Sequence, residues 1–327
     1  MTTPSLITIS IQAAMTEFID MVRRSRSRNT ALSYAKGLMF FSEVLKGMSL
    51  EASSTPVSQL TEDAVPALLD ALKAFSPATE QLYLVAAKRF YNFLAARKWS
   101  EINLPRLNEF ILQQARRPGR RLPQFPRDDI QKVLEYINQI VPSADPVERL
   151  RDLRDRAFLL TLADTGLRVH EACALRRGDL DWNEGQAVII GKGDKQAVIR
   201  FSERSLHALK DYLAARASLD GGSGRSLTSL PLFARHDKGA GKKVKPISTT
   251  TGRDIVHARA VQALGDMGQK WITTHSFRHY FVTSVLRASG NLKLAQELAR
   301  HANIQVTQKY AHLSNEELDK GYHDIFN

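Results

Sequence analysis

Ala187-Val188-Ile189-Ile190-Gly191-Lys192-Gly193-Asp194-Lys195-Gln196-Ala197-Val198-Ile199-Arg200-Phe201 is where the apolar period of this chain changes. Two β-branched runs flank a turn of Gly, Lys and Asp, which predicts a hairpin and not another helix. Leu180-Asp181-Trp182, followed by the turn residues Asn183-Glu184-Gly185, supplies a third strand. The segment therefore predicts a small three-stranded antiparallel sheet.

Outside this segment the pattern is helical. From Ile11 to about Gln114 apolar residues recur at helical spacing, as in Met15, Phe18, Ile19 and Val22, and again in Leu38, Phe41, Val44 and Leu45. Ser76-Pro77 opens another helix through Leu82, Val85, Phe90 and Leu94, and Gln59-Leu60-Thr61-Glu62-Asp63 starts one more. The expected unit is a bundle of four or five helices. Downstream, Asp128-Asp129 caps a helix to about Val141, and a longer one runs from Val147 to Asp164 and stops at Thr165-Gly166. Helices resume at Arg204–Ala217. The Gly-, Ser- and Lys-rich stretch from Leu219 to Pro246 predicts a mobile loop. The fold class expected is mainly α, an N-terminal helical domain followed by an α+β domain around the sheet.

Between the two lies Ala115-Arg116-Arg117-Pro118-Gly119-Arg120-Arg121-Leu122-Pro123, where Pro and Gly break regular structure and four arginines repel one another. The expected division is residues 1–114, a basic linker 115–127, and a second domain 128–327. A linker of this kind can run along a duplex, which makes Arg116, Arg117, Arg120 and Arg121 candidate phosphate contacts.

A formal charge of +12 and a pI near 9.8 point to a polyanionic partner, nucleic acid before membrane. The surplus sits in the second part: residues 1–114 hold 12 Lys+Arg against 10 Asp+Glu, residues 115–327 hold 34 against 24. No apolar run approaches the roughly 20 residues of a membrane span. Cys173, the single cysteine, excludes an internal disulfide framework, fits a reducing cytoplasm, and lies in an apolar run that suits a packing thiol.

Candidate chemistry lies far apart in sequence. Thr274 is placed to cap a helix beginning at His275, so His275 and Arg278 stand one turn apart where a helix N-terminus attracts anions. An H-x-x-R spacing alone is common by chance. Arg168 follows the Thr165-Gly166 stop and starts the next helix, with Glu171 three residues on. Lys192 occupies the hairpin turn between glycines, with Lys195 competing for any role there. His301 and Tyr310 lie nine residues apart, on adjacent short helices.

Taken together and in order, these residues resemble the tyrosine recombinase (integrase) family, Xer-like members in particular. The pattern is Thr165-Gly166-Leu167-Arg168-Val169-x-Glu171, Gly191-Lys192-Gly193, His275-x-x-Arg278-His279, then His301 and Tyr310. The intervals are 24 from Arg168 to Lys192, 23 from Arg278 to His301 and 9 from His301 to Tyr310. In the bundle, Asn29-Thr30-x-x-x-Tyr34 and Phe90-Tyr91-x-Phe93-Leu94 are similar to the family's SAM-like core-binding domain, which implies Thr30 and Tyr34 as DNA-binding residues. Arg300 departs from the pattern, since glycine usually precedes the second histidine.

The resemblance implies a site-specific DNA recombinase acting through a 3′-phosphotyrosine. Tyr310 is then the nucleophile. Arg168, Arg278 and His301 donate to the phosphate, Lys192 is the general acid, and His275 takes the tyrosine proton or bonds the phosphate. Glu171 orients Arg168. The resemblance implies no cofactor and no metal. The partners it implies are double-stranded DNA and a homotetramer on synapsed sites, or a heterotetramer with a paralogous recombinase, at the nucleoid and with no membrane. Two rivals share parts of this set. One is a type IB topoisomerase that relaxes DNA; the other is a DNA-binding regulator that keeps the fold without chemistry.

Overall fold

The computed structural model describes residues 9–116, 127–190, 196–237, 239, 243–265, 272–301, 303–308 and 323. The chain divides into two compact units, Met1–Arg121 and Leu122–Asn327.

In the first unit, short polar side chains open the helices. Ser10 accepts from the Ala13 N–H ahead of α1 (Ile11–Ser25), and Ser27 does the same for α2 (Arg28–Gly47). After α3 (Val65–Leu72), Ser76 caps α4 (Pro77–Arg97) and Asn103 caps α5 (Leu104–Gln114). Each such cap contributes about 1 kcal/mol. Phe18, Phe41, Leu45, Phe90, Tyr91 and Leu94 meet in one core, and the buried Tyr91 hydroxyl donates to the Thr61 carbonyl at 2.9 Å.

Glu80 on α4 is 1 % exposed, a poor place for a carboxylate without a cation. Arg116 supplies it. The Arg116 N–H and Nε donate to Glu80 at 2.7 and 2.5 Å, and its Nη2 donates to the Phe75 carbonyl at 2.7 Å. The residue that the sequence places in a solvated basic linker is anchored to the helical unit. Most of its guanidinium is engaged there and not turned to a phosphate.

The second unit begins with α6 (Arg127–Gln139), which ends two residues before the expected Val141, and α7 (Pro146–Thr165). Along Ala157-Phe158-Leu159-Leu160-Thr161-Leu162-Ala163 every side chain of α7 is buried, which makes it the central helix. Gly166 ends it in the left-handed region at φ 60°, and a Cβ there would also run into the Phe281 ring. Next come α8 (Val169–Ala174), β1 (Leu180–Asp181), β2 (Gln186–Ile190) and β3 (Gln196–Arg200). The sheet is antiparallel in the order β1-β2-β3, with Leu180 opposite Ala187 and Val188 opposite Val198. Ala187, Ile189 and Ile199 face the core, whereas Val188, Ile190 and Val198 face out, as a two-residue period requires.

The sheet is followed by α9 (Glu203–Ala215) and α10 (Ala217–Gly221), then α11 (Thr249–Leu264), α12 (Thr274–Ser289), α13 (Leu292–Ala299) and α14 (Ile304–Gln308). Arg259 on α11 reaches Asp155 and Asp152 on α7, each at 2.8 Å, so the two helices share a largely buried ion-pair network. Gly252 lets α11 approach α7 and α8 closely, because a Cβ there would press on Phe158, Val169 and Cys173.

The stretch from Leu219 to Pro246 differs from the mobile loop expected. Leu230, Leu232, Phe233 and Ala234 are buried, and the Phe233 ring meets Phe158 edge-on at 5.1 Å. The fully buried Arg216 donates to the carbonyls of Pro231 and Leu232 and pairs with Asp220. The Leu232 N–H donates to the Leu175 carbonyl at 2.8 Å. A short apolar run inside polar, Gly-rich composition is enough to pin the chain to the core. No helix among the described residues is long and apolar enough to cross a membrane.

Candidate active site

The site is assembled by one buried guanidinium. Arg278, on the first turns of α12 and 2 % exposed, donates through Nη1 to the Gly166 carbonyl and through Nη2 to the Ala299 carbonyl. Three segments are thereby fixed together: the start of α12, the end of α13 and, 112 residues upstream of Arg278, the α7 stop. Thr273, not Thr274, caps α12; its Oγ1 accepts from the Ser276 N–H while the Ser276 Oγ accepts from the Thr273 N–H. The shift of one residue leaves His275 and Arg278 one turn apart on the opening of the helix.

Arg168 is the N-cap residue of α8, with extended backbone. Its side chain is 41 % exposed and donates through Nη1 to Glu171 Oε1 at 2.9 Å, while its own N–H donates to Oε2 at 2.8 Å. Glu171 is thus a brace for Arg168 and is itself buried. Burial would raise its carboxyl, but the Arg168 N–H and the guanidiniums of Arg300 and Arg168 outweigh that and hold it below the usual range.

Arg168, His275 and Arg278 open on a shared cleft of about 730 Å³, together with His170, Arg253 and His257. The last three escaped the sequence reading, because a histidine or arginine on a helix has no local mark of facing a site. His301 is set by its neighbours: its N–H donates to the Gln296 carbonyl at 3.0 Å, its carbonyl accepts from Gln296 Nε2 at 3.0 Å, and its Nδ1 lies 2.9 Å from the hydroxyl of the fully buried Thr307. Thr307 also carried no signal in the sequence. Lys192 and Tyr310 lie outside the described residues, as do Arg117, Arg120 and Arg121.

The imidazoles sit in a cationic surround. His275 meets His279 edge-on at 4.5 Å. Burial, then Arg278 and Arg168, lower His275. Burial, then His275, Arg278 and His301, hold His279 down to about 4, and burial, then Arg278 and Arg168, do the same for His301. At neutral pH these rings are uncharged, able to accept a proton or donate one hydrogen bond each.

A pH dependence follows. Between about 6.5 and 4 the unfolded chain takes up protons at His279 and His301 that the folded chain refuses, so stability is full above that window and falls as pH drops through it. Thermal midpoints between pH 7.5 and 4.5 should show the loss, and His279→Gln with His301→Gln should flatten it. An unchanged slope in the double variant would remove these histidines as its source.

In the first unit, Thr30 lies on the opening turn of α2 with its N–H and hydroxyl on the Ser27 Oγ, at 3.2 and 2.9 Å. Tyr34 stacks on Phe18 with ring centroids 6.2 Å apart, so much of its ring serves the core. Beside them Arg24, Arg26 and Arg28 form an exposed basic corner between α1 and α2. Among the described residues no group of three or more His, Cys, Asp or Glu could hold a metal ion.

Comparison with known proteins adds the following. Residues 125–317 match the Phage integrase family, and residues 16–98 match the Phage integrase N-terminal SAM-like domain. The tyrosine recombinase XerC of Thermodesulfovibrio yellowstonii is 31% identical over 254 residues, 77% of this chain and 76% of that protein. The XerC of Bacillus subtilis is 27% identical over 302 residues, 92% and 91% of the two chains. Among solved structures, the XerH site-specific recombinase bound to its difH substrate aligns with a TM-score of 0.67 at 20% identity, over 95% of this chain and 84% of that one. The Tn1549 transposon integrase with transposon end DNA aligns at 0.65 and 17% identity, over 98% and 100%. These two likenesses concern the fold.

Proposed function

The chain belongs to the phage integrase family, and from that premise we propose that it is a site-specific tyrosine recombinase, cutting and rejoining DNA through a phosphotyrosine. The observation that carries the reading is the opening of Arg168, His275 and Arg278 on one cleft, with His301 close enough to feel the charge of both arginines.

In the proposed reaction the Tyr310 oxygen attacks the scissile phosphorus, the bond to the 5′-oxygen breaks, and a 3′-phosphotyrosine and a 5′-hydroxyl result. The tyrosine proton passes to His275, and Lys192 protonates the departing oxygen. Arg168 keeps N–H donors beyond the one used on Glu171, and these, with the positive charge of Arg278, face the negative charge that grows on the non-bridging oxygens. His301 adds a neutral donor. Rejoining reverses the step with the 5′-hydroxyl of a second strand, so the bond energy is conserved.

Residues 1–114 and 128–327 are each assigned to contacts with duplex DNA. Thr30, the hydroxyl end of Tyr34 and the arginine corner at Arg24, Arg26 and Arg28 serve the first of these, with Arg117, Arg120 and Arg121 on the linker. Strand exchange between two sites calls for four active chains, supplied by a homotetramer or by a heterotetramer with a paralogous recombinase. Cytoplasmic action at the nucleoid accords with that partner.

The test is to trap covalent protein–DNA adducts in cells, digest the DNA and map the attached peptide and the flanking sequence. The expected result is a Tyr310 peptide joined to a 3′ end at a small set of related sites. Adducts spread evenly over the genome, or none, would overturn site-specific cleavage.

A further inference from the structure

Arg300 occupies a backbone position that suits glycine, at φ 57° and ψ 44° after the last turn of α13. Its guanidinium is mostly buried, and Nη2 donates to Glu171 Oε2 at 3.0 Å, across 129 residues of sequence. Nε and Nη1 are buried with no hydrogen-bond partner among the described residues. Left-handed backbone and the burial of a cation both work against stability, so packing does not account for the residue.

Charge accounts for it. Arg168 and Glu171 alone form a neutral pair, and the carboxylate cancels much of the field that Arg168 would place on a phosphate. Arg300 takes the other carboxylate oxygen and returns the group to one net positive charge. Its bond to Oε2, which also accepts from the Arg168 N–H, gives the carboxylate a further tether.

We propose that Arg300 is a positioning residue for DNA cleavage, acting through Glu171 to keep Arg168 in place and its charge uncancelled. This inference rests on the assignment of Arg168 to the scissile phosphate.

The experiment uses the full chain and nicked duplexes carrying the site at which adducts map, with single-turnover adduct formation as the readout. Arg300→Gly should fold at least as well as the parent, because glycine fits the backbone there. It should bind the duplex normally yet cleave about tenfold more slowly, the scale of one charge-assisted hydrogen bond. Arg300→Lys should restore most of the rate. In a Glu171→Gln background the Arg300→Gly penalty should largely vanish, since the two residues act as one unit.

Equal rates for Arg300→Gly and the parent, a loss that lysine does not restore, or the same loss in the Glu171→Gln background would each overturn the proposal. Arg168→Ala separates the two levels: if it cleaves normally, the assignment of Arg168 fails. If it fails to cleave while Arg300→Gly matches the parent, only the role of Arg300 is lost.

Discussion

Tyr310→Phe will abolish adduct formation and recombination while leaving duplex binding unchanged. Removing one hydroxyl takes away the nucleophile and none of the cations, so cleavage should fall by about 10⁴-fold or more, and gel-shift affinity should stay within about twofold. The contrast between the two readouts is the useful part. A regulator that keeps the fold without chemistry would lose nothing on this substitution. Adducts that persist would point to another nucleophile, with Tyr322 the other tyrosine beyond α14.

Arg278→Lys should damage both fold and chemistry. The guanidinium spans the Gly166 and Ala299 carbonyls at once, and a lysine ammonium can reach one acceptor at a time. Leaving a buried carbonyl unpaired costs roughly 1–3 kcal/mol, visible as a lowered denaturation midpoint. Cleavage measured at a temperature where the variant is folded should still fall by about 10²–10³-fold, the scale of losing a preorganised donor to a transition-state oxyanion. A variant that is less stable yet cleaves at the parent rate would confine Arg278 to the architecture.

Period and caps are local properties. The change of period at Ala187–Phe201 was therefore legible as a sheet, and Ser76 as a helix start. The α12 cap moved by one residue because Thr273 and Thr274 are equally able to cap. The ordered spacing of Arg168, His275, Arg278 and His301 was legible as a set, but only from resemblance. What holds them together was not. The carbonyls of Gly166 and Ala299, the Thr307 hydroxyl and the Arg300–Glu171 contact are long-range pairings to groups with no distinguishing side-chain signature. Arg116 was misread for the same reason, since its partner Glu80 lies 36 residues away on a helix that looks exposed there. Leu230, Leu232 and Phe233 were hidden by the glycines and serines around them.

The Glu80–Arg116 contact bears on how such chains can be recombined with one another as proteins. A hybrid joined after Gln114 would inherit a sealed carboxylate from one parent and an arbitrary residue from the other at its only described cationic contact. Moving the junction beyond Arg116 keeps lock and key in the same parent. The helical unit is then a module whose natural seam lies a few residues inside the arginine-rich stretch, and libraries of exchanged helical units should be cut there.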